Sequence, residues 1–341
     1  MKSVWKNPWF LIGFIFITGI LIASFVYSGV TDNQVPKYRW IYDADGKIIG
    51  GSPQPPSWKT PLGTDKLGYD MFAKAIMGAK YTILAAISVA ALRILVAVPI
   101  GMVMGVYFKK GKRYVNGFID SFHFIPFTIL AYYLLHPILW MPQGGFQTSM
   151  FERIALEVII LALLTVPVIS VLISNEAGRV IEQEFVLASR TLGAGKMRLI
   201  FKHVFPALRE KVFVLFGQQM MQTLIVFAHL GLLQLFLGGT KVSYDPYFGD
   251  PPQTISNEWS GLIGDTYKLL EWIPWVPLTP IVCFALTMIA VSFMIEGYVQ
   301  STTGHSHYFK KGKRKKKKPE AALAAKEIAK PEELQLYRKS S

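Results

Sequence analysis

The sequence predicts an all-α integral membrane protein with six transmembrane helices, and three observations carry that reading. Hydrophobic residues make up 52% of the 341 and charged residues only 17%, below the roughly one quarter usual for soluble domains. The apolar residues gather in stretches of about twenty or more, the length a helix needs to cross about 30 Å of hydrocarbon. The polar segments between them include clusters of Lys and Arg, as cytoplasmic loops of membrane proteins do, so the formal charge of +14 does not by itself call for nucleic acid.

Four regions follow from this pattern: an N-terminal span (1–30), an extracytoplasmic segment (31–79), a core of five further spans (80–300) and a basic cytoplasmic tail (301–341). Lys2 and Lys6 precede the first apolar stretch, about Trp9 to Val30. It is longer than a signal-peptide core and shows no small-residue cleavage site, so it is expected to be retained, with its N-terminus inside. Residues 31–79 are polar, with turn signals at Pro36, Asp43 to Gly46 and Pro53 to Pro56. Thr64 or Asp65 is expected to cap a helix from Leu67 to Gly78. Calcium binding by Asp65 and Asp70 lacks enough oxygen ligands. Residues 61–70 read PLGTDKLGYD. They resemble the PLGTDxLGRD signature before the second span of C-type permease subunits of oligopeptide, dipeptide and nickel ABC importers, with Tyr69 in place of the arginine.

The second span is expected from about Tyr81 to Phe108. Arg93 lies near its middle, where a charge needs a reason: lining a pathway that attracts a substrate carboxylate, pairing with a carboxylate such as Glu157, or snorkelling. Gly101 and Gly105 make a small-xxx-small face for close helix packing. Lys109, Lys110, Lys112 and Arg113 form a short cytoplasmic turn, and the third span follows at about Val115 to Trp140. Its Asp120 and Pro126 resemble the family's start of this helix, and His123 and His136 are too isolated for a metal site. After an outer loop, the fourth span covers about Ile154 to Ser174. The fifth, about Val212 to Leu237, carries Gln218, Gln219, Gln222 and His229, which either face a wet channel or bond across helices. Arg93, Gln218 and Gln222 are the expected pathway residues. Residues 238–271 should lie outside; Leu237-Gly-Gly-Thr and Glu258-Trp-Ser-Gly resemble the family's LGLG and EWG elements. The sixth span, about Trp272 to Val299, opens on the interfacial anchors Trp272 and Trp275. Beyond it the basic run Lys310 to Lys318 suits attraction to anionic membrane lipid rather than RNA.

The polar segment 175–211 between spans four and five concentrates Arg179, Arg190, Lys196, Arg198, Lys202 and Arg209, which places it in the cytoplasm. Glu184 opens a short helix with Phe185, Ala188 and Leu192 on one face. Gly193 ends it, and a second helix begins near Lys196 with the stripe Met197, Ile200, Phe201 and Val204, ended by Pro206. A DNA-reading helix-turn-helix has a similar basic outline, but the flanking apolar spans exclude it. The segment resembles the "EAA" loop of ABC importer permeases, keeping its spacing through Leu187, Ala188, Ser189, Gly193 and Pro206. That resemblance implies the six-span type I permease fold and a coupling helix seated on an ATPase, with Glu184, Ala188, Ser189, Gly193 and Pro206 at the contact.

Gly193-Ala-Gly-Lys196 is not a phosphate cradle, because Arg190 and Met197 stand where glycine and Ser or Thr are needed. No catalytic set, metal cluster or resident cofactor is expected, and Cys283 reads as a small buried hydrophobe. The resemblance implies that ATP and Mg are used by two cytoplasmic ATP-binding subunits. It further implies a homologous B-type permease subunit and an extracytoplasmic substrate-binding protein. Peptide is preferred as cargo over nickel, since no soft ligands cluster. A secondary transporter, a membrane enzyme and a scaffold are the competing classes; the first would lack the coupling loop and the second would need a catalytic set.

Overall fold

Five helices among the described residues are long and apolar enough to cross a membrane, and a shorter apolar helix accompanies them. The computed structural model describes residues 4–42, 48–107, 117, 125–245 and 251–303. The expected turn at Lys109 to Arg113, the residues Asp120 and His123, the turn at Asp43 to Gly46 and the basic run Lys310 to Lys318 lie outside the described residues. Helix α1 (Pro8–Val30) starts where Asn7 accepts the Trp9 N–H at 2.9 Å and Pro8 takes a first-turn position that needs no N–H.

Helix α2 (Met71–Tyr107) is 37 residues long, roughly 55 Å at 1.5 Å per residue. It absorbs both the expected outer helix and the second span, so the boundary expected at 79/80 falls inside it. Its cap is Asp70, whose Oδ1 accepts the Phe72 N–H at 2.8 Å, and not Thr64 or Asp65. Asp65 instead holds its own turn, accepting from the N–H groups of Leu67 and Tyr69, and pairs with Lys74 at 2.7 Å. Both its oxygens are therefore engaged without a metal. Tyr69, which replaces the signature arginine, lies under the ammonium groups of Lys37 and Lys74 at 4.7 and 5.0 Å, contacts worth about 0.5–1 kcal/mol each at exposed sites.

Helix α3 (Phe127–Leu139) is the described part of the expected third span. Helix α4 (Met150–Ile181) opens on a capping box in which Ser149 and Glu152 each bond the other's backbone N–H. Two short helices, α5 (Glu184–Thr191) and α6 (Lys196–Leu199), precede α7 (Phe205–Leu232). Helix α8 (Trp259–Thr266) is short and buried, and α9 (Trp275–Thr303) is the last long helix. Two antiparallel pairs, β1 (Trp40–Tyr42) with β2 (Ile48–Gly51) and β3 (Thr240–Lys241) with β4 (Gln253–Thr254), pair backbone groups that the connecting segments would otherwise leave unbonded. Isolated bridges between Lys37 and Tyr69, Thr64 and Asp70, and Trp140 and Thr240 add to this extended pairing in an otherwise helical chain.

Helix α2 lies along α4, and α1 along α9. The first contact depends on Gly101 and Gly105: a Cβ there would fall 2.6 Å from Ile173 and 2.7 Å from the Ser174 carbonyl oxygen, so only glycine admits this approach. A central apolar core runs through α2, α3, α4, α7, α8 and α9. A second gathers at the end of the bundle that bears α5 and α6, called the loop end below.

Arg93 lies inside this packing with no exposed surface. Its Nε and Nη2 donate to the Leu161 carbonyl at 3.3 and 3.1 Å, and its Nη1 donates to Gln219 Oε1 at 3.0 Å. Arg93 thus faces other helices of its own chain, and Glu157, the carboxylate considered as its partner, instead accepts the Gly238 N–H at 3.4 Å. Arg93 ties α2, α4 and α7 together because a guanidinium forks its donors to two acceptors at once. Arg93→Met should lower stability in detergent by about 1–3 kcal/mol, since Gln219 and the Leu161 carbonyl lose a buried donor. An unfolding midpoint in SDS titration equal to wild type would show that the bonds are idle.

Candidate functional site: the loop end

The segment after α4 turns on Gly193, the C′ residue of α5. Its φ is +87°, a left-handed conformation that costs other residues about 1–2 kcal/mol. The Gly193 N–H donates to the Arg190 carbonyl at 3.0 Å, and the Ala194 N–H to the Ser189 carbonyl at 3.1 Å. This is the Schellman pattern, which satisfies carbonyls at the helix end. A second tie crosses the turn, where His203 Nε2 meets Ser189 Oγ at 3.1 Å and the Phe185 and His203 rings lie 5.9 Å apart. The expected helix–turn–helix is therefore present, with Glu184 in the first turn of α5 and Ala188 exposed on it.

Pro206 does not end the second helix. Residues Ile200–Val204 form a π turn in which the Phe205 N–H donates to the Ile200 carbonyl, and Pro206 follows at the second position of α7. The wider turn absorbs a residue that lacks an N–H and crowds an ordinary α ladder. The chain is consequently helical without interruption from Lys196 to Leu232. The loop and the fifth span are one body.

The two apolar stripes divide differently from the periodic reading. Val186, Leu199, Ile200, Val204 and Leu208 are buried with Val180 and Ile181 of α4 and Val106 of α2. Phe185, Leu192, Met197 and Phe201 point outward; Leu192 is 88% and Phe201 67% exposed. Val186 escaped the sequence reading because residues 185–187 are all apolar, so periodicity could not choose the inward one. Lys196 caps the contact with α2, its ammonium 4.6 Å from the Tyr107 ring, and Lys211 and Arg179 both pair with Glu176. The result is an apolar surface on a rigid projection, rimmed by cations, a form typical of a protein contact.

The other expected residues divide by face. Gln219 is buried against Arg93, whereas Gln218, Gln222 and His229 are exposed on α7. Their spacing of four and seven puts them on one helical face, and His229 Nδ1 meets Thr128 Oγ1 at 3.3 Å. His136 stacks on Trp140 at 5.1 Å, and among the described residues no His, Cys, Asp and Glu set is arranged to hold a metal.

At the opposite end, Glu258 caps α8 by accepting the N–H groups of Ser260 and Gly261 at 2.7 and 2.6 Å. Trp259, fully buried, donates its indole N–H to the Ala75 carbonyl at 2.7 Å. Burial pushes the carboxyls of Glu258 and Asp265, both outside the spans, up to about 7. A carboxyl with a raised folded pKa stabilises most below its ordinary value and loses that contribution as pH rises through the folded one. The thermal midpoint should therefore fall between about pH 5 and pH 8, and Glu258→Gln, which keeps an acceptor for the cap, should flatten part of the fall. A wild-type midpoint unchanged over that range would refute the assignment.

The described residues make a multi-pass membrane chain with an exposed apolar projection at one end. Residues 97–302 match the binding-protein-dependent transport system inner membrane component, and the chain belongs to that family. Similar chains include a peptide permease protein of Brucella abortus, 26% identical over 295 residues, covering 86% of this chain and 85% of that one. The oligopeptide transport system permease protein OppC of Bacillus subtilis is 26% identical over 258 residues, 75% of each chain. The dipeptide transport system permease protein DppC of Alkalihalophilus pseudofirmus is 21% identical over 296 residues, 87% and 85%. The chain is thus a permease subunit of an ABC importer, whose ATP hydrolysis belongs to separate subunits. Membership implies work with a binding protein and other subunits of the transport system.

Proposed function

We propose that this chain forms, with a homologous permease subunit, the pathway for peptides delivered by an extracytoplasmic binding protein, and that its loop end sits in the cytoplasm on an ATP-hydrolysing subunit. The observation that carries this reading is the continuity of α6 with α7 through the π turn, because a contact on Leu192, Met197 and Phe201 then moves α7 as a whole. A helix in a groove is the recognition mode such a surface suits. Peptide as cargo is supported by the names of the relatives. Nickel has no such support, and no described side chains are arranged for it. With the loop end inside, α1 starts and α9 ends in the cytoplasm, since Asn7 Nδ2 donates to Gln300 Oε1 at 3.1 Å at that same end.

The exposed Gln218 and Gln222 belong to the pathway in this reading. An unpaired amide is poorly placed against lipid tails, whereas a wet cavity between two permeases accommodates it. Alternating access is then a two-state equilibrium that ATP biases by binding one state better.

Two tests follow. Proline at 193 cannot reach a φ of +87° and removes the N–H bonded to Arg190, so Gly193→Pro should leave the chain in the membrane while peptide uptake falls at least tenfold relative to ATP turnover in the copurified complex. Normal uptake per ATP would end the coupling assignment. In a Cys283→Ser background, Gln222→Cys should react with a membrane-impermeant thiol reagent during turnover and Ile15→Cys on the outer face of α1 should not; equal labelling of both would remove Gln222 from the pathway.

A further inference from the structure

Helices α1, α2, α7 and α9 leave a half-open groove of about 240 Å³ within the spans, lined by Phe14, Ile17, Leu21, Phe216, Met220 and Met294 among others. Its lining is apolar but for the Thr18 hydroxyl, so a peptide backbone would find almost no hydrogen-bond partners in it. The volume is also below the roughly 300–1,000 Å³ usual for small-molecule sites.

The loop end of the groove has a different character. Trp5 packs edge-on against Phe10 and Phe14 at 5.4 and 5.1 Å, and Phe213 stacks on Tyr298 at 4.0 Å. Lys6 follows Trp5 in the chain and Arg209 lies one turn before Phe213 on the same face of α7, and both are exposed, with Glu210 next to Arg209 half-buried. Glu296 is turned inward onto Gln300, whose Nε2 donates to it at 2.8 Å. Aromatic rings with Lys and Arg at one end of an apolar surface mark the level of lipid headgroups. Cationic pockets between membrane helices on that side hold phosphate-bearing headgroups.

We propose that the groove is a binding site for one phospholipid, with an acyl chain along Phe14, Leu21, Phe216 and Met220 and the phosphate facing Lys6 and Arg209. Burial of each methylene contributes about 0.8 kcal/mol relative to water. Against bulk lipid the groove gains little by that term, so selectivity rests on the shape of the slot and on the two cations. The site is separate from the pathway face of Gln218 and Gln222, because its lining residues on α7, Phe213, Phe216, Gly217 and Met220, point toward α1 and α9.

The test uses the full chain, purified with whatever subunits accompany it, in nanodiscs of phosphatidylcholine doped with phosphatidylcholine carrying a diazirine in one acyl chain. After irradiation, labelled peptides containing residues 213–220 and 291–295 should exceed those reporting Ile12, Ile15 and Ile22, on the outer face of α1, by at least fivefold. Lys6→Gln with Arg209→Gln, both at exposed positions, should lower groove labelling at least threefold without changing the α1 face. Thr18→Phe, which fills the slot, should abolish it. Uniform labelling of wild type, or groove labelling indifferent to loss of both cations, overturns the proposal. So does a protein–protein cross-link to a second chain occupying the slot.

Discussion

The rest of the structure depends on one mechanical constraint: the loop helix α6 and the span α7 form a single helical body. Had Pro206 broken the helix, the projecting loop would hang from a joint, and force on Leu192 or Phe201 would bend the joint before it moved the membrane. The π turn at Ile200–Val204 removes that joint by accommodating the missing N–H locally. Burial of Leu199, Ile200, Val204 and Leu208 against α4 and α2 then fixes the direction in which the body points. The rigid turn at Gly193 serves the same end, since it holds α5 against α6 through backbone bonds and through the contact of Ser189 with His203.

A second constraint comes from the solvent. Hydrocarbon offers no hydrogen bonds, so every polar group within the spans must find a partner in protein or in enclosed water. Helix α7 shows both solutions on adjacent residues. Gln219 points inward and accepts from Arg93, and that bond together with those of Arg93 to the Leu161 carbonyl joins three helices. Gln218 and Gln222, turned by about 100° per residue, face out of the chain. A subunit that worked alone would leave those amides against lipid, so the incomplete side of the molecule is also the side on which a partner and a wet path make physical sense.

The apolar spans, the helical loop and the glycine turn were legible in the sequence because each rests on a local rule of composition or spacing, whereas the helix bounds were not, since α2 and the body containing α7 begin well before the expected span starts at Tyr81 and Val212. The parts that were not legible depend on tertiary choice. Phe185, Val186 and Leu187 are equivalent to any periodic count, and only packing against α4 selects Val186. Arg93 offered a pathway role, a carboxylate pair or snorkelling, and the partners it does meet lie 68 and 126 residues away. The cap of α2 went to Asp70 and not to Asp65 because Asp65 had a competing set of turn N–H groups close by. At Pro206 the general rule that proline ends a helix lost to a π turn, which no pattern in residues 196–206 announces.

The arrangement of α1 and α9 completes the physical picture. These two helices pack along each other and are bonded at the loop end by Asn7 and Gln300, so they form a fixed wall beside α7. Between wall and lever lies the groove under Phe14 and Met294. Where α7 meets the wall it packs closely, with Phe213 stacked on Tyr298 at 4.0 Å and Gly217 so near Ile295 that a Cβ would fall 2.7 Å from it, and the groove is the gap left beside those contacts. An acyl chain has many rotamers and adapts to such a gap, whereas interdigitated side chains have few alternative arrangements. In the proposed site a lipid therefore fills the space that side chains leave between those contacts, while the exposed Gln218 and Gln222 lie on another face of α7.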